Sequence, residues 1–224
     1  MGALKVGELR TPYDPEKRPV EDHPIYAYGR ALRALEAAGI PYLVGGGLAL
    51  VRYGEMRDTK DLDIFLYRRD AERAMNVLTS AGFTTLETDL PWLRKAQTQG
   101  VFIDLILWSK GLIELSSAEV ARGEPSAING VPIRVFAPED LLVRKIYLMR
   151  ADGLDWRDAF SILDHCRTSI DWTLLERDGL DPLQLTGFLL VAAVRRPGMV
   201  PQHVLERHLA RAQAALRPYS VTTQ

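Results

Sequence analysis

The sequence predicts an α/β domain with a short mixed sheet, followed by an all-α region, and three observations predict this fold class. Apolar runs of strand length alternate with helical patterns in the first part of the chain. The dipeptide Asn129-Gly130, between two β-rich runs, is typical of a hairpin. Every later pattern has the helical period. We therefore expect an irregular arm over 1–23, an α/β domain over 24–136 and a helical domain over 137–224.

The composition is that of an ordinary soluble globular protein, with 224 residues, 47% hydrophobic residues and a formal net charge of −1. A chain so close to neutrality has no overall attraction to nucleic acid, so any polyanion site must be a local patch. The single cysteine, Cys166, excludes an intramolecular disulfide and is expected in a helical core. No apolar run reaches membrane-spanning length, and the chain does not open with a signal-peptide pattern. We therefore expect a cytoplasmic protein with no membrane partner.

The elements of the α/β domain follow from periodicity and from helix-breaking residues. Ile25, Tyr28 and Leu32 recur at helical spacing, and Gly39 provides the stop. The run from Asp61 alternates polar and apolar residues, which is typical of a strand. The predicted order is a helix over 24–38, a strand over 41–44, a helix over 47–53, a strand over 61–66, a helix over 70–81 and a strand over 83–87.

The run from Val101 to Trp108 holds seven apolar residues around one carboxylate, Asp104. A strand this apolar is expected to be buried on both faces. An unpaired charge inside it would be costly. Asp104 is therefore expected at the rim of the strand, in a pair with an arginine, or beside Asp61 and Asp63.

The end of the α/β domain and the helical region carry clear turn signals. The hairpin over 126–136 is expected to have a type I′ turn at Asn129-Gly130, and Pro132 is expected to mark an edge strand. Pro138 occupies a permitted first-turn position of the next helix. The predicted helices cover 138–150, 155–167, 171–178, 182–195 and 201–216.

Two aspartates in one strand are the first candidate functional residues. Asp61 and Asp63 are two positions apart, so both side chains face the same side of the strand, with Cα atoms about 6 to 7 Å apart. Carboxylates held this close repel each other unless a cation lies between them. Hard oxygen ligands of this kind suit Mg²⁺, which takes its remaining ligands from water and substrate phosphates.

Three glycines precede this strand. Gly45, Gly46 and Gly47 lie between the predicted strand 41–44 and the helix that follows. Glycine permits positive φ and close backbone approach, and free N–H groups at a helix start bind anions. A phosphate at the glycine turn and a metal at the aspartates would serve one reaction.

These motifs together resemble a known superfamily. Val44-Gly45-Gly46, followed after about fifteen residues by Asp61-Leu62-Asp63-Ile64, resembles the nucleotidyltransferases that include DNA polymerase β. The intervening Leu48-Ala49-Leu50, Gly54 and Arg57-Asp58-Thr59 are similar to two subgroups, the AbiEii-like abortive-infection toxins and the lincosamide-type antibiotic nucleotidyltransferases. The glycine turn, Arg-x-Thr and Asp-x-Asp are more specific together than any one of them alone.

The resemblance implies a nucleotidyltransferase-type domain over 24–136 and further site residues. It implies a third carboxylate on a neighbouring strand, for which Asp104 is the candidate. It assigns Arg57 and Thr59 to phosphate or loop-orienting contacts. It also places a basic residue on the first helix after the sheet, where Lys145 lies inside the apolar arc of the helical wheel. That lysine either extends its ammonium to solvent or contacts the triphosphate.

The expected function is Mg²⁺-dependent transfer of a nucleoside monophosphate from an NTP to an acceptor hydroxyl. Asp61, Asp63 and Asp104 would hold two ions, for which Mn²⁺ is a possible substitute, and the Gly45–Gly47 amides and Lys145 would neutralise phosphate charge. RNA (including tRNA), protein and small molecules all stay open as acceptors, as does a cognate antitoxin partner. The alternative is a catalytically silent relative that binds nucleotide or RNA, or that acts as a partner subunit.

Overall fold

The computed structural model describes residues 24–54, 59, 61–109, 113–128, 130–148, 155–176 and 181–217. The arm expected over 1–23 lies outside these residues. The chain divides into two compact units, Met1–Ala137 and Pro138–Gln224. None of the described helices has both the length and the apolar character needed to cross a membrane.

The first unit is built on a mixed sheet. Its strands are β1 (Tyr42–Val44), β2 (Asp61–Leu66), β3 (Thr84–Glu87), β4 (Leu93–Thr98), β5 (Val101–Ile106), β8 (Glu124–Ile128) and β9 (Val131–Val135), while β6 (Trp108–Ser109) and β7 (Ile113–Glu114) form a separate pair. The order across the seven-stranded sheet is β3-β4-β5-β2-β1-β9-β8. Strand β2 runs parallel to β5 and antiparallel to β1. The predicted mixed sheet is confirmed.

The described part of this unit contains the helices α1 (Pro24–Ala37), α2 (Gly46–Leu50), α3 (Ala71–Ser80) and α4 (Ser117–Arg122). A 3₁₀ turn over Val51–Tyr53 continues α2. Ser116 and Glu119 form a reciprocal capping box that satisfies two N–H groups at the start of α4. Strand β4, helix α4 and the β6–β7 pair were not predicted from the sequence.

Burial alternates along β5 and along the first four residues of β2. On β5, Val101, Ile103 and Leu105 are buried, whereas the residues between them, Asp104 included, are half-buried. The prediction that this strand is buried on both faces is therefore wrong. The apolar residues between the buried positions lie on the partly accessible face, so the alternation could not be read from hydrophobicity alone.

The hairpin near the end of the unit is confirmed, because β8 and β9 pair antiparallel, with Ile128 opposite Val131. The type I′ turn predicted at Asn129-Gly130 includes Asn129, which lies outside the described residues. The prediction that Pro132 marks an edge strand is wrong, since β9 lies between β1 and β8. Proline is tolerated there because β1 meets β9 at the Val44–Val135 pair, at the other end of the strand.

The second unit is helical. It contains α5 (Pro138–Leu148), α6 (Asp155–Cys166), α7 (Pro182–Arg195) and α8 (Gln202–Leu216). The segment predicted as a helix over 171–178 is instead a 3₁₀ turn over Trp172–Glu176. The aromatic rings of Trp156, Phe160 and Phe188 pack with centroid distances of 5.8 to 6.0 Å. Cys166 is buried at the end of α6, in agreement with its predicted core position.

Candidate active site

Strand pairing brings the three candidate carboxylates together. Asp61 and Asp63 lie on β2, and the parallel register makes Asp63 the direct partner of Asp104 on β5. Direct partners point to the same side of a sheet, and so do residues two apart on one strand. All three side chains therefore share the half-buried face, and the apolar residues between them form the buried face. The register therefore places Asp104 beside Asp63, one of the three positions expected for it.

Asp104 also has a cationic partner that the sequence analysis missed. Lys95 lies opposite Asp104 on β4, and its Nζ is 2.7 Å from Asp104 Oδ1. Lys95 and Asp104 are 36% and 16% exposed, so the pair is neither buried nor fully in water. In the sequence, the dipeptide Gln99-Gly100 could have indicated this pairing. Both of its residues have positive φ, and it joins β4 to β5 in a tight hairpin.

The glycine turn packs directly on Asp63. The Gly45 N–H donates to the Asp63 main-chain oxygen at 2.9 Å. A Cβ on Gly46 would lie 1.7 Å from Asp63 Oδ2, and one on Gly45 would lie 2.4 Å from the Phe65 ring. Gly46 also has a φ of +57°, which side chains rarely adopt. These glycines are needed so that the turn can lie against the Asp63 carboxylate, and Gly47 is buried just behind them.

The structure describes only one of the two residues of the Arg-x-Thr part of the motif, Thr59. Arg57 lies outside the described residues. Thr59 Oγ1 donates to the main-chain oxygen of Asp61 at 3.2 Å, so this hydroxyl contacts the backbone of the carboxylate strand. Of the two roles expected for Thr59, this contact favours loop orientation.

Tyr28 on α1 was not predicted as a site residue, although burial and the charges of all three carboxylates raise the pKa of its phenol. Its side chain is buried. Burial raises the pKa of the Tyr28 phenol, and the negative charges of Asp61, Asp63 and Asp104 raise it further. A phenol in this environment stays protonated and can donate a hydrogen bond. In the sequence Tyr28 belongs to the apolar stripe of α1, so it was interpreted as a core residue and not as a hydrogen-bond donor near the carboxylates.

Lys145 lies in the second unit, on α5, and is buried. Its Nζ is 2.6 Å from Asp158 Oδ2 and 3.3 Å from Asp155 Oδ1, both on α6. The wheel position inside an apolar arc is thus explained by an ion pair within the helical unit. The prediction that Lys145 contacts nucleotide is not tested by these contacts and stays a prediction.

The residues fit a divalent cation in part. Asp61 and Asp63 supply hard oxygen donors on one face of one strand, the ligand type that Mg²⁺ prefers. Among the described residues, however, no three His, Cys, Asp or Glu side chains are arranged as a metal-holding group. Asp104 is the member already engaged, through Oδ1, by Lys95. The donor set therefore suits an ion held by Asp61 and Asp63, with its remaining ligands from elsewhere.

A groove of about 1280 Å³ lies elsewhere in the first unit, lined among others by Tyr67, Arg68 and Arg94. Arg94 is adjacent to Lys95 on β4, and neighbouring residues of a strand point to opposite faces. The groove is therefore on the face of the sheet opposite to the carboxylates. Its size does not make it the candidate active site.

Comparison with protein families gives one match over most of the chain. A family model described as "Uncharacterised nucleotidyltransferase" matches residues 25–194. A search of curated protein sequences gave no match.

Several solved structures are similar in fold. The solution structure of the antibiotic-resistance factor ANT(2″)-Ia is 20% identical, with a TM-score of 0.51 over 76% of this chain and 94% of that chain. The same protein in complex with adenylyl-2″-tobramycin is 17% identical, with a TM-score of 0.51 over 75% and 98%. An antigenic nucleotidyltransferase-like protein from Paracoccidioides brasiliensis is 17% identical, with a TM-score of 0.50 over 84% and 93%. At these identities the structures show a shared fold.

Proposed function

The chain belongs to the nucleotidyltransferase family whose model it matches, and from this premise we propose that it transfers a nucleoside monophosphate from an NTP to an acceptor hydroxyl. In this reaction the hydroxyl oxygen bonds to the α-phosphorus, the bond from the α-phosphorus to the bridging oxygen of the β-phosphate breaks, and pyrophosphate and the hydroxyl proton are released. One observation carries the proposal: the register that sets Asp104 beside Asp63, on the strand face shared with Asp61. Three carboxylates on one face repel each other, an arrangement that a bound cation would stabilise.

We propose that Asp61 and Asp63 hold a Mg²⁺ ion, or Mn²⁺ in its place. Such an ion, when bound, neutralises phosphate charge and orients the NTP. Thr59 supports this role by fixing the main chain at Asp61, and Gly46 does so by leaving room for the Asp63 carboxylate. Asp104, held on one oxygen by Lys95, is proposed to orient the acceptor hydroxyl.

We further propose that the Gly45–Gly47 main chain and Arg57 contact the phosphates. The turn follows β1 directly and packs on Asp63, so phosphates bound there would lie close to the carboxylates. Lys145 is also proposed to contact the nucleotide, through an ammonium that already contacts the carboxylates of Asp155 and Asp158.

For the acceptor we propose a hydroxyl-bearing small molecule. One structural neighbour, ANT(2″)-Ia, has been seen with adenylyl-2″-tobramycin. Transfer to RNA, tRNA included, or to a protein side chain are the other outcomes, and a toxin role would add an antitoxin as partner. The near-neutral net charge favours a small acceptor, since it provides no overall attraction to a polyanion.

Label transfer from each α-labelled NTP into the small-molecule, RNA and protein fractions of a cell extract tests the proposal. The wild type should label one fraction, and Asp63→Ala should lower transfer by at least about 10³-fold, because several kcal/mol of charge stabilisation are lost. Asp89→Ala removes an exposed carboxylate from a loop and should transfer normally. Transfer at the wild-type rate by a folded Asp63→Ala protein would end the nucleotidyltransferase proposal.

The alternative, a catalytically silent relative, differs from the proposed function in label transfer and not in thermal stabilisation. Mg²⁺ with a non-hydrolysable NTP would raise the melting temperature by mass-action linkage in either case. Under the alternative, no NTP would label any fraction. Stabilisation without transfer would therefore favour a nucleotide-binding or partner-subunit role.

A further inference from the structure

We propose that Lys95 supplies, at Asp104, the positive charge that a second divalent ion would otherwise supply, so that this chain binds one ion, at Asp61 and Asp63. The inference rests on the proposed function. It departs from the two-ion expectation of the sequence. Lys95 is a positioning residue in this scheme, because it acts through Asp104.

The contact is specified by the sheet and not by chance side-chain placement. Lys95, Asp104 and Asp63 are direct partners across β4, β5 and β2, so their side chains form one row on one face. Strand β4 is paired on both sides, with β3 and with β5. This double pairing fixes the Lys95 backbone, and the 2.7 Å contact to Oδ1 is a charge-assisted hydrogen bond.

The charges of the row favour one ion. At Asp104 the Lys95 ammonium already compensates the carboxylate charge, 2.7 Å from Oδ1. A second ion using Asp104 would have to displace Lys95 or lie beside its ammonium, and like charges that close repel strongly when half-buried.

Counting bound Mn²⁺ per chain by electron paramagnetic resonance, with a saturating non-hydrolysable NTP, tests the inference. Wild type should bind one Mn²⁺. Lys95→Met frees Asp104 and should bind two, with dipolar broadening between the neighbouring ions. Lys95→Arg keeps a cation at this position and should again bind one.

Arg94→Met is the matched control, because it removes one positive charge from the same strand on the opposite face. It should leave the count at one, whereas a count of two there would show a general charge effect and overturn the role of Lys95. Two ions on the wild type, or one on a folded Lys95→Met protein, would also overturn the inference and leave the proposed function standing. Wild-type protein that binds no Mn²⁺ would overturn both.

Discussion

Each unit of the molecule contains a lysine–aspartate pair, and the two pairs differ in their surroundings. On the sheet, Lys95 and Asp104 are 36% and 16% exposed and lie beside Asp63. In the helical unit, Lys145 and Asp158 are 8% and 0% exposed, with Asp155 as a second acceptor. The first pair is partly open to water, whereas the second is part of a core.

The difference shows how burial decides what an ion pair does. A half-exposed pair contributes about 0 to 1 kcal/mol to stability, so its value lies in where it places charge. A buried pair is costly to break, because removing one partner leaves the other charge without compensation. We therefore expect the sheet pair to affect metal binding and transfer, and the helical pair to affect folding.

The largest expected effect is the loss of stability in Lys145→Met. This change leaves Asp158 buried without its 2.6 Å partner, which should cost about 3 to 5 kcal/mol. Had Lys145 only extended to solvent, methionine would fill the same stripe at little cost. Chemical denaturation of Lys145→Met and Lys95→Met side by side measures the contrast, and the latter should lose no more than about 1 kcal/mol.

A double variant sharpens this comparison. Lys145→Met with Asp158→Leu removes both charges and should recover to within about 2 kcal/mol of wild type, because a hydrophobic replacement of a buried pair is often neutral. If the single and double variants are equally unstable, the pair is not the cause. A stable Lys145→Met protein with weakened NTP binding would instead support the nucleotide contact.

A smaller effect is expected from alanine substitutions at two glycines of the first unit, Gly46 and Gly39. Gly46 and Gly39 both have positive φ, of +57° and +64°, but a Cβ meets Asp63 only at Gly46 and meets nothing within 4 Å at Gly39. Alanine at either position should cost about 1 to 2 kcal/mol for the left-handed backbone.

Only Gly46→Ala should also displace the Asp63 carboxylate. A misplacement of about 1 Å lowers turnover by about 10²-fold. The clash adds a stability cost to Gly46→Ala, so both variants are assayed well below their melting temperatures, where Gly46→Ala should transfer much more slowly than Gly39→Ala. Equal transfer rates would show that the glycine turn does not position Asp63.

The smallest effect is a pH dependence confined to the helical unit. His208 on α8 is 1% exposed, with Nε2 3.6 Å from Glu176 Oε1. Burial lowers the pKa of His208 below its ordinary value of 6.5, and Arg211 and Arg207 lower it too, against the opposing effect of Glu176. The unfolded chain thus takes up the proton first, and stability present above pH 6.5 is lost as the pH falls towards the folded pKa.

This loss has a slope of at most about 1.4 kcal/mol per pH unit. Melting temperature measured from pH 7.5 down to pH 5 should therefore fall less steeply in His208→Leu than in wild type. The exposed His203 on the same helix provides the control, and His203→Leu should keep the wild-type slope. Identical slopes in all three proteins would exclude His208 as the titrating group.

Local sequence patterns were sufficient to predict the positions of most helices and strands. Helices α1, α3, α5, α6, α7 and α8 lie within a few residues of their predicted ranges, because apolar spacing, caps and breakers act over short distances. Strand β4 was not predicted, because the segment from Arg94 to Thr98 is mostly polar and does not alternate polar and apolar residues. Its half-buried face is set by β3 and β5, which are not visible in the β4 sequence itself.

The sequence by itself determined the glycine turn, the two aspartates on one face of β2 and the division between α/β and helical parts. Each of these depends on spacing along the chain, and periodicity reports spacing directly. Only the tertiary structure decided the partners: Lys95 for Asp104, Asp158 for Lys145, and Asp63 against Gly46. Such contacts join separate elements, and strand register and helix packing, which set them, depend on the whole fold.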